Sequence, residues 1–193
     1  EAREAFARCV AKYPGKDASS RAQFEIGQIF ETRTFNYEAA LQAYRAVEGP
    51  YAKPAKAALT RLLAKSLALR TEHVFRTDEH AVFQVTSRNL EKVRVRVYRL
   101  ELEDYFRAVH TTGNIERLDI EVIAADRTFD SPVPDYKKYR ETSRDVEIGF
   151  DRPGAYVVKV DDQELEATTM VLVSDLALIS KSSRHEFFVF AQN

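Results

Sequence analysis

Asp145-Val146-Glu147-Ile148-Gly149-Phe150, Asp151-Arg152-Pro153-Gly154, Ala155-Tyr156-Val157-Val158-Lys159-Val160, and the continuation to Ser174 form the stretch that decides the fold. Val146, Ile148 and Phe150 alternate with Glu147 and Gly149; Tyr156, Val158 and Val160 alternate with Val157 and Lys159. A period of two places alternate side chains on one face of a strand. Pro153-Gly154 and the polar run Asp161-Asp162-Gln163-Glu164 carry turn chemistry. The stretch therefore predicts three β-strands joined by two tight connections. Paired hairpins cannot bury an apolar face alone in water, so a second sheet is required, and residues for it lie upstream.

The chain has 193 residues, enough for one large or two small domains. Its 45% hydrophobic and 31% charged content is that of an ordinary globular protein. With 29 basic and 30 acidic residues the net charge is −1, so no global field favours nucleic acid or an anionic membrane. No apolar run approaches the roughly 20 residues of a membrane span. The chain opens in mid-pattern on Glu1-Ala2-Arg3-Glu4-Ala5-Phe6, without an initiator Met or signal sequence, and reads as an excised fragment. Cys9 is the single cysteine; it forms neither an internal disulfide nor a zinc site by itself. Its place on a helix face predicts a buried, inert thiol.

Residues 1–67 read as helical. Ala2, Ala5, Phe6, Cys9 and Val10 recur at spacings of three and four, and Pro14-Gly15 ends that stripe. Asp17 or Ser19 can cap a second helix bearing Ala22, Ile26, Ile29 and Phe30. Asn36 caps a third, with Ala39, Ala40, Ala43, Tyr44 and Val47 on one face and Gly49-Pro50 behind it. A fourth begins near Pro54 and carries Ala58, Leu59, Leu62 and Leu63. From Leu69 the period changes to alternation, predicting strands over 69–75, 81–87 and 92–100, with Asn89 at a turn. Residues 101–110 read as a short helix closed by Gly113-Asn114. Leu118, Ile120 and Val122 suit a strand or a turn. Pro132 and Pro134 predict an irregular loop pinned by Tyr136 and Tyr139, and the sheet resumes at Asp145. After Ser174, residues 176–180 and 187–191 read as two more strands around the polar turn Lys181-Ser182-Ser183-Arg184.

No residue pattern predicts catalysis, cofactor binding or metal binding. His73, His80, His110 and His185 lack metal-ligand spacing, and no nucleophile elbow or glycine-rich phosphate loop is present. Asp161, Asp162 and Glu164 form an acidic cluster that could serve acid–base chemistry or Ca²⁺, against the plainer reading of solvated turn formers. Arg94, Arg96 and Arg99 alternate with valines, as on an exposed strand face rather than a nucleic-acid stripe. Asp126 and Asp130, around Phe129, read as turn caps.

Two family resemblances follow. Ile26-Gly27, Phe30, Ala40 and Tyr44 resemble the Leu-Gly, Tyr, Ala and Phe/Tyr positions of the tetratricopeptide repeat, a unit of about 34 residues, with one residue inserted in the turn. Ala2, Phe6 and Pro14 are similar to the end of a preceding repeat, whereas Gln23 departs from the pattern. The resemblance implies close approach of Gly27 to Ala40. It also implies stacking on neighbouring repeats or a peptide groove faced by Arg21, Gln28 and Glu31.

The second covers about 69–193. Thr77-Asp78-Glu79-His80-Ala81-Val82-Phe83, Arg88-Asn89-Leu90 and the run from Val95 through Tyr98-Arg99-Leu100 to Phe106 resemble the opening of a macroglobulin-type domain of bacterial alpha-2-macroglobulins. Asp78-Glu79 stands where that family commonly has Gly-Glu. Gly154-Ala155-Tyr156-Val157-Val158, Thr168-Thr169 and Val173-Ser174-Asp175-Leu176-Ala177 are similar to its last strands and the start of the next domain. The resemblance implies a large periplasmic, envelope-associated or secreted protein that traps proteases or meets envelope proteins, through a bait segment and often a thioester. Cys9, in Arg8-Cys9-Val10-Ala11, does not fit the thioester motif.

The expected architecture is α+β and multi-domain: a tetratricopeptide-like helical segment (1–67), an antiparallel macroglobulin- or fibronectin III-like β-sandwich (69–174), and the first hairpin of a following β-domain (175–193). The expected role is a non-catalytic scaffold without cofactors, whose partners are other domains of the parent chain, proteases or envelope proteins, and neither nucleic acid nor a spanned membrane. The alternatives are a peptide-binding helical adaptor and a carbohydrate-acting β-sandwich enzyme using the Asp161 cluster.

Overall fold

The computed structural model describes residues 1–101, 103, 104, 107, 124–150 and 152–192. The chain is mixed α+β. Helices α1 (Ala2–Lys12), α2 (Asp17–Thr32), α3 (Tyr37–Arg45) and α4 (Ala52–Leu63) come first, with a 3-10 turn at Gly49–Tyr51 leading into α4. Gly15, at φ 73°, reverses the chain after α1, and the Asn36 side chain accepts the Ala39 N–H at 3.1 Å to cap α3. Asp17 is the first residue of α2 rather than its cap, where its charge suits the helix dipole.

The helical core is Ala40, Leu41, Tyr44, Val47, Ala55, Ala58 and Leu62, ringed by Phe24, Phe30, Tyr37, Tyr51 and Leu59. Gly27 is buried against α3, but the side chain opposite it is Tyr44, not Ala40. A Cβ at Gly27 would lie 2.5 Å from Tyr44 Cε1. The α1 helix buries no residue fully. Cys9 is accordingly half-buried rather than buried, with Sγ 3.8 Å from the Ala18 carbonyl.

The strands are β1 (Ser66–Arg70), β2 (Ala81–Arg88), β3 (Lys92–Leu100), β4 (Arg127–Pro132), β5 (Glu141–Ile148), β6 (Gly154–Asp161), β7 (Glu166–Val173), β8 (Ala177–Ser182) and β9 (Phe187–Gln192). Two antiparallel sheets, ordered β1-β2-β5 and β4-β3-β6-β7, pack face to face. Between them lie Phe83, Val85, Val93, Val95, Val97, Val146, Ile148, Val158, Val160, Val171 and their neighbours. Alternation sets this face: Phe83 and Val85 of β2 stand opposite Val146 and Arg144 of β5. The central strand β6 is buried on both faces, and its Val157 packs with Tyr98 on the outer side.

The structure moves three strand boundaries. The strand expected over 69–75 divides: β1 occupies Ser66–Arg70, and Phe75 makes an isolated parallel bridge to Val173. The loop expected around Pro132 contains β4, which pairs with β3 and places Asp130 in a strand instead of a turn. Pro132 is accommodated because β4 is an edge strand, where a missing N–H leaves no ladder bond broken. The sheet resumes at Glu141, ahead of the expected Asp145. The helix expected over 101–110, its Gly113-Asn114 stop, and Leu118, Ile120 and Val122 fall wholly or mostly outside the described residues.

The strands β8 and β9 pair as a separate two-stranded hairpin. Every residue of both is exposed, including Leu178 at 62%, Ile179 at 66% and Phe187 at 71%.

The Gly27–Tyr44 approach yields a stability prediction. Gly27→Leu forces the Tyr44 ring out of its site and costs about 1–3 kcal/mol. Urea unfolding reads it as a lower midpoint with an unchanged slope; an unchanged midpoint would contradict the close approach.

Candidate functional site

The features that concentrate polar chemistry lie where α4 meets the sandwich. A helix ends with carbonyls that lack intrahelical partners. At the end of α4 no glycine cap is present, since Ala64 turns directly into extended backbone. Asn89 fills the role from the β2–β3 turn. Its Nδ2 donates to the carbonyls of Leu62, Leu63 and Ala64 at 2.9, 3.2 and 2.9 Å. Its Oδ1 accepts the Tyr139 N–H at 2.7 Å, beside which the Tyr139 side chain packs against the helical core. Asn89 itself sits at φ 58°, a left-handed conformation that asparagine tolerates better than most residues.

Charged side chains extend this contact. Arg88 donates to the Arg61 carbonyl at 3.1 Å and to Glu141 at 2.6 Å. Arg61 donates to Glu31 at 2.6 Å, and Glu31 also accepts the Tyr44 hydroxyl at 2.8 Å. Burial, reinforced by that carboxylate, pushes the Tyr44 phenol far above its ordinary value.

Beside the junction is a cleft of about 260 Å³ lined by Lys65, Asn89, Arg94, Asp130, Tyr136, Asp161 and Asp162, among others. Asp130, Asp161 and Asp162 in it are engaged. Lys65 bridges Asp162 at 2.9 Å and Glu164 at 2.8 Å. Arg96 grips Asp161 Oδ2 through Nε and Nη2 at 3.1 and 2.7 Å. Lys92 and Arg94 flank Asp130 at 3.9 and 3.8 Å. Partial burial pushes the Asp162 carboxyl up, but the Leu165 and Glu164 N–H groups and Lys65 together hold it below the usual carboxylate range. A carboxylate held ionised is a poor general acid near neutrality, and the described residues contain no cluster of metal-ligating side chains. Asp162 thus anchors Lys65, and Asp161 anchors Arg96. Arg96 is half-buried rather than on an open strand face.

The groove residues named from sequence, Arg21, Gln28 and Glu31, all lie on α2. Arg21 is exposed and lies 3.8 Å from Glu25 on its own helix; Gln28 is exposed. Glu31 is occupied by Arg61 and Tyr44. Sequence reading missed Asn89 as a cap and Lys65 as a counter-ion. The Arg88-Asn89 pair was visible as a turn, but its acceptors belong to α4.

No family model matches the sequence, and no curated protein matches it. Among solved structures, the chain is similar to native alpha-2-macroglobulin from Escherichia coli spanning domains MG0-NIE-MG1, with TM-score 0.51 and 11% identity over 66% of this chain and 45% of that chain. This chain thus matches less than half the length of that fragment. A CARDB domain from Pyrococcus furiosus gives TM-score 0.32 at 11% identity, over 57% of this chain and 92% of that one. At such identity the first likeness is one of fold: the sandwich is macroglobulin-like. No described helix is long and apolar enough to cross a membrane.

Two predictions come from the junction. Asn89→Gly keeps the φ 58° turn accessible but removes the cap, so it costs about 1–3 kcal/mol. Amide exchange should accelerate at the end of α4 and at Tyr139; unchanged exchange there would contradict capping. Asp162 titrates lower in the folded chain than when unfolded, so its bonds contribute stability above the ordinary carboxylate range and lose it as pH falls through the folded value. Lys65 is raised, chiefly by Glu164 and then Asp162, so its contribution is complete below the ordinary lysine value and lost as pH rises through the folded one. Urea midpoints across pH should show a shallower acid limb for Asp162→Asn. An identical limb would contradict the assignment.

Proposed function

We propose that this chain is a non-catalytic scaffold module of an alpha-2-macroglobulin-like protein, acting outside the cytoplasm and joining neighbouring domains of its parent. The helical segment (1–67) is a tetratricopeptide-like spacer, the sandwich (69–174) a macroglobulin-like domain, and 175–193 the first hairpin of the next. The macroglobulin-like fold supports the family reading, and the paired acidic groups of the junction support a structural role for them.

The observation that carries the proposal is the β8–β9 hairpin. Leu178, Ile179, Phe187, Phe188, Val189 and Phe190 are apolar and all at least 49% exposed. Consecutive apolar residues put such side chains on both faces of β9, and strands of that kind are ordinarily covered on both sides. The preceding sandwich has a closed core of its own. Further strands of the same parent chain, following Asn193, are the covering this hairpin fits. In that arrangement the helices, locked to the sandwich by Asn89, and the next domain, locked by the hairpin, form a stiff arm suited to positioning a trapping or surface-binding region elsewhere in the parent.

The test compares this chain with one extended by about 100 residues, a typical domain. Amide exchange across residues 176–191 should slow markedly in the longer chain while β6 and β7 stay unchanged. Equal, strong protection in both would mean the hairpin already has its cover, and the proposal would fail.

A further inference from the structure

We propose that the cleft along the β4–β5 connection, built around Arg144, binds a phosphate-type oxyanion. Arg144 is opposite Val85 in the β2–β5 register and therefore points toward the inner face of the sandwich, at its open edge. Its partner across that edge is Ser131, opposite Val93 and itself 8% exposed. Arg144 Nη1 donates to Ser131 Oγ at 2.9 Å, and Nη2 reaches the Ser131 carbonyl at 3.5 Å. Both acceptors are neutral. The Nε atom is buried without any hydrogen-bond partner. A guanidinium has five N–H donors, so much of this one's capacity is unused.

A cation turned into a sandwich edge without a counter-charge is costly unless something supplies that charge. No described carboxylate does. Among the described residues Arg144 has no ion pair, and neither do Lys137 or Arg140, whereas Arg96, on the outer face of β3, is gripped by Asp161. Burial also lowers the Arg144 guanidinium's affinity for its proton, as expected of an uncompensated cation.

Arg144 does not stand alone. With Lys137, Arg140, Thr142, Ser143, Pro134 and Asp135 it lines a cleft of about 370 Å³. Three cations against one carboxylate give this cleft a positive field although the chain as a whole carries −1. Guanidinium groups match the geometry of tetrahedral oxyanions, Lys137 adds a point charge, and the Thr142 hydroxyl adds a donor. An inward arginine also discourages strand addition at the β5 edge, where a charge is unwelcome to a docking strand. That role explains the arginine at 144, but not the convergence of Lys137 and Arg140 on the same cleft without counter-ions among the described residues.

The test is titration of the whole chain with inorganic phosphate, followed by amide chemical shifts against sodium chloride of matched ionic strength. A second arm uses phosphatidylcholine vesicles with and without phosphatidic acid. Saturable shifts confined to residues 131–144 are expected. Lys137→Gln/Arg140→Gln, at two exposed positions that leave the core intact, should weaken binding at least about tenfold. Arg144→Gln should abolish it, with folding checked by the unchanged shifts of β6. Response to inorganic phosphate identifies a free-oxyanion site. Response only to phosphatidic acid vesicles identifies a lipid phosphate. In either case the double variant must weaken the response by at least about tenfold. No saturable response to either probe, or a double variant that responds like the parent, overturns the proposal.

Discussion

A single carboxamide, that of Asn89, decides how the two halves of this chain sit together. It closes the C-terminal end of α4 through its donors and holds the Tyr139 backbone through its acceptor. These are backbone groups of segments far apart in sequence, so the amide fixes a helix end, a strand turn and a loop at once. Tyr139, held at φ 68°, then completes the helical core from the sandwich side. Arg88, next in the turn, extends the contact to Arg61 and Glu141. Unpaired carbonyls at a partly covered helix end carry a real free-energy cost, and surface ion pairs alone contribute little. The amide is therefore the dominant directional element and the ion pairs around it are secondary.

The sandwich that receives the helices has a simple logic. Valine-rich β3 and β6 sit centrally and β6 is covered on both sides, while β4, β5, β1 and β7 form the edges. Polarity rises toward the edges on the inner face itself. Ser87, Thr142, Arg144 and Ser131 occupy inward register positions near one open end. The same end carries the cations of the β4–β5 connection, which have no ion pair among the described residues. The strands β8 and β9 carry aromatic and aliphatic side chains with no cover among the described residues. Among the described residues, charge without counter-charge and apolar surface without cover thus fall in two different segments of the chain.

These features explain what the sequence could disclose. The strands β2, β3 and β6 were legible because their inner positions are apolar in strict alternation. The first half of β5 was not, because Thr142 and Arg144 take inner positions that would ordinarily be apolar. The strand β4 was hidden by Pro132, which signals a loop unless the strand is known to be an edge. Gly27 was legible as a point of close helix approach, but its neighbour depends on how far α3 slides along α2, which puts Tyr44 opposite instead of Ala40. The acidic run 161–164 reads as available chemistry until Lys65, 97 residues from Asp162, is seen to occupy it. Asn89 was legible as a turn residue; its capping role depends on a helix end 25–27 residues earlier arriving beside it.

The claim that carries the rest is that the helices and the sandwich unfold as one body because of the Asn89 junction. Urea unfolding followed simultaneously by helical ellipticity and by amide protection of β3 and β6 tests it most directly. The account predicts coincident transitions in the parent chain and separated ones, helices first, in Asn89→Gly. Separate transitions in the parent, or coincident ones that persist in the variant, would contradict it.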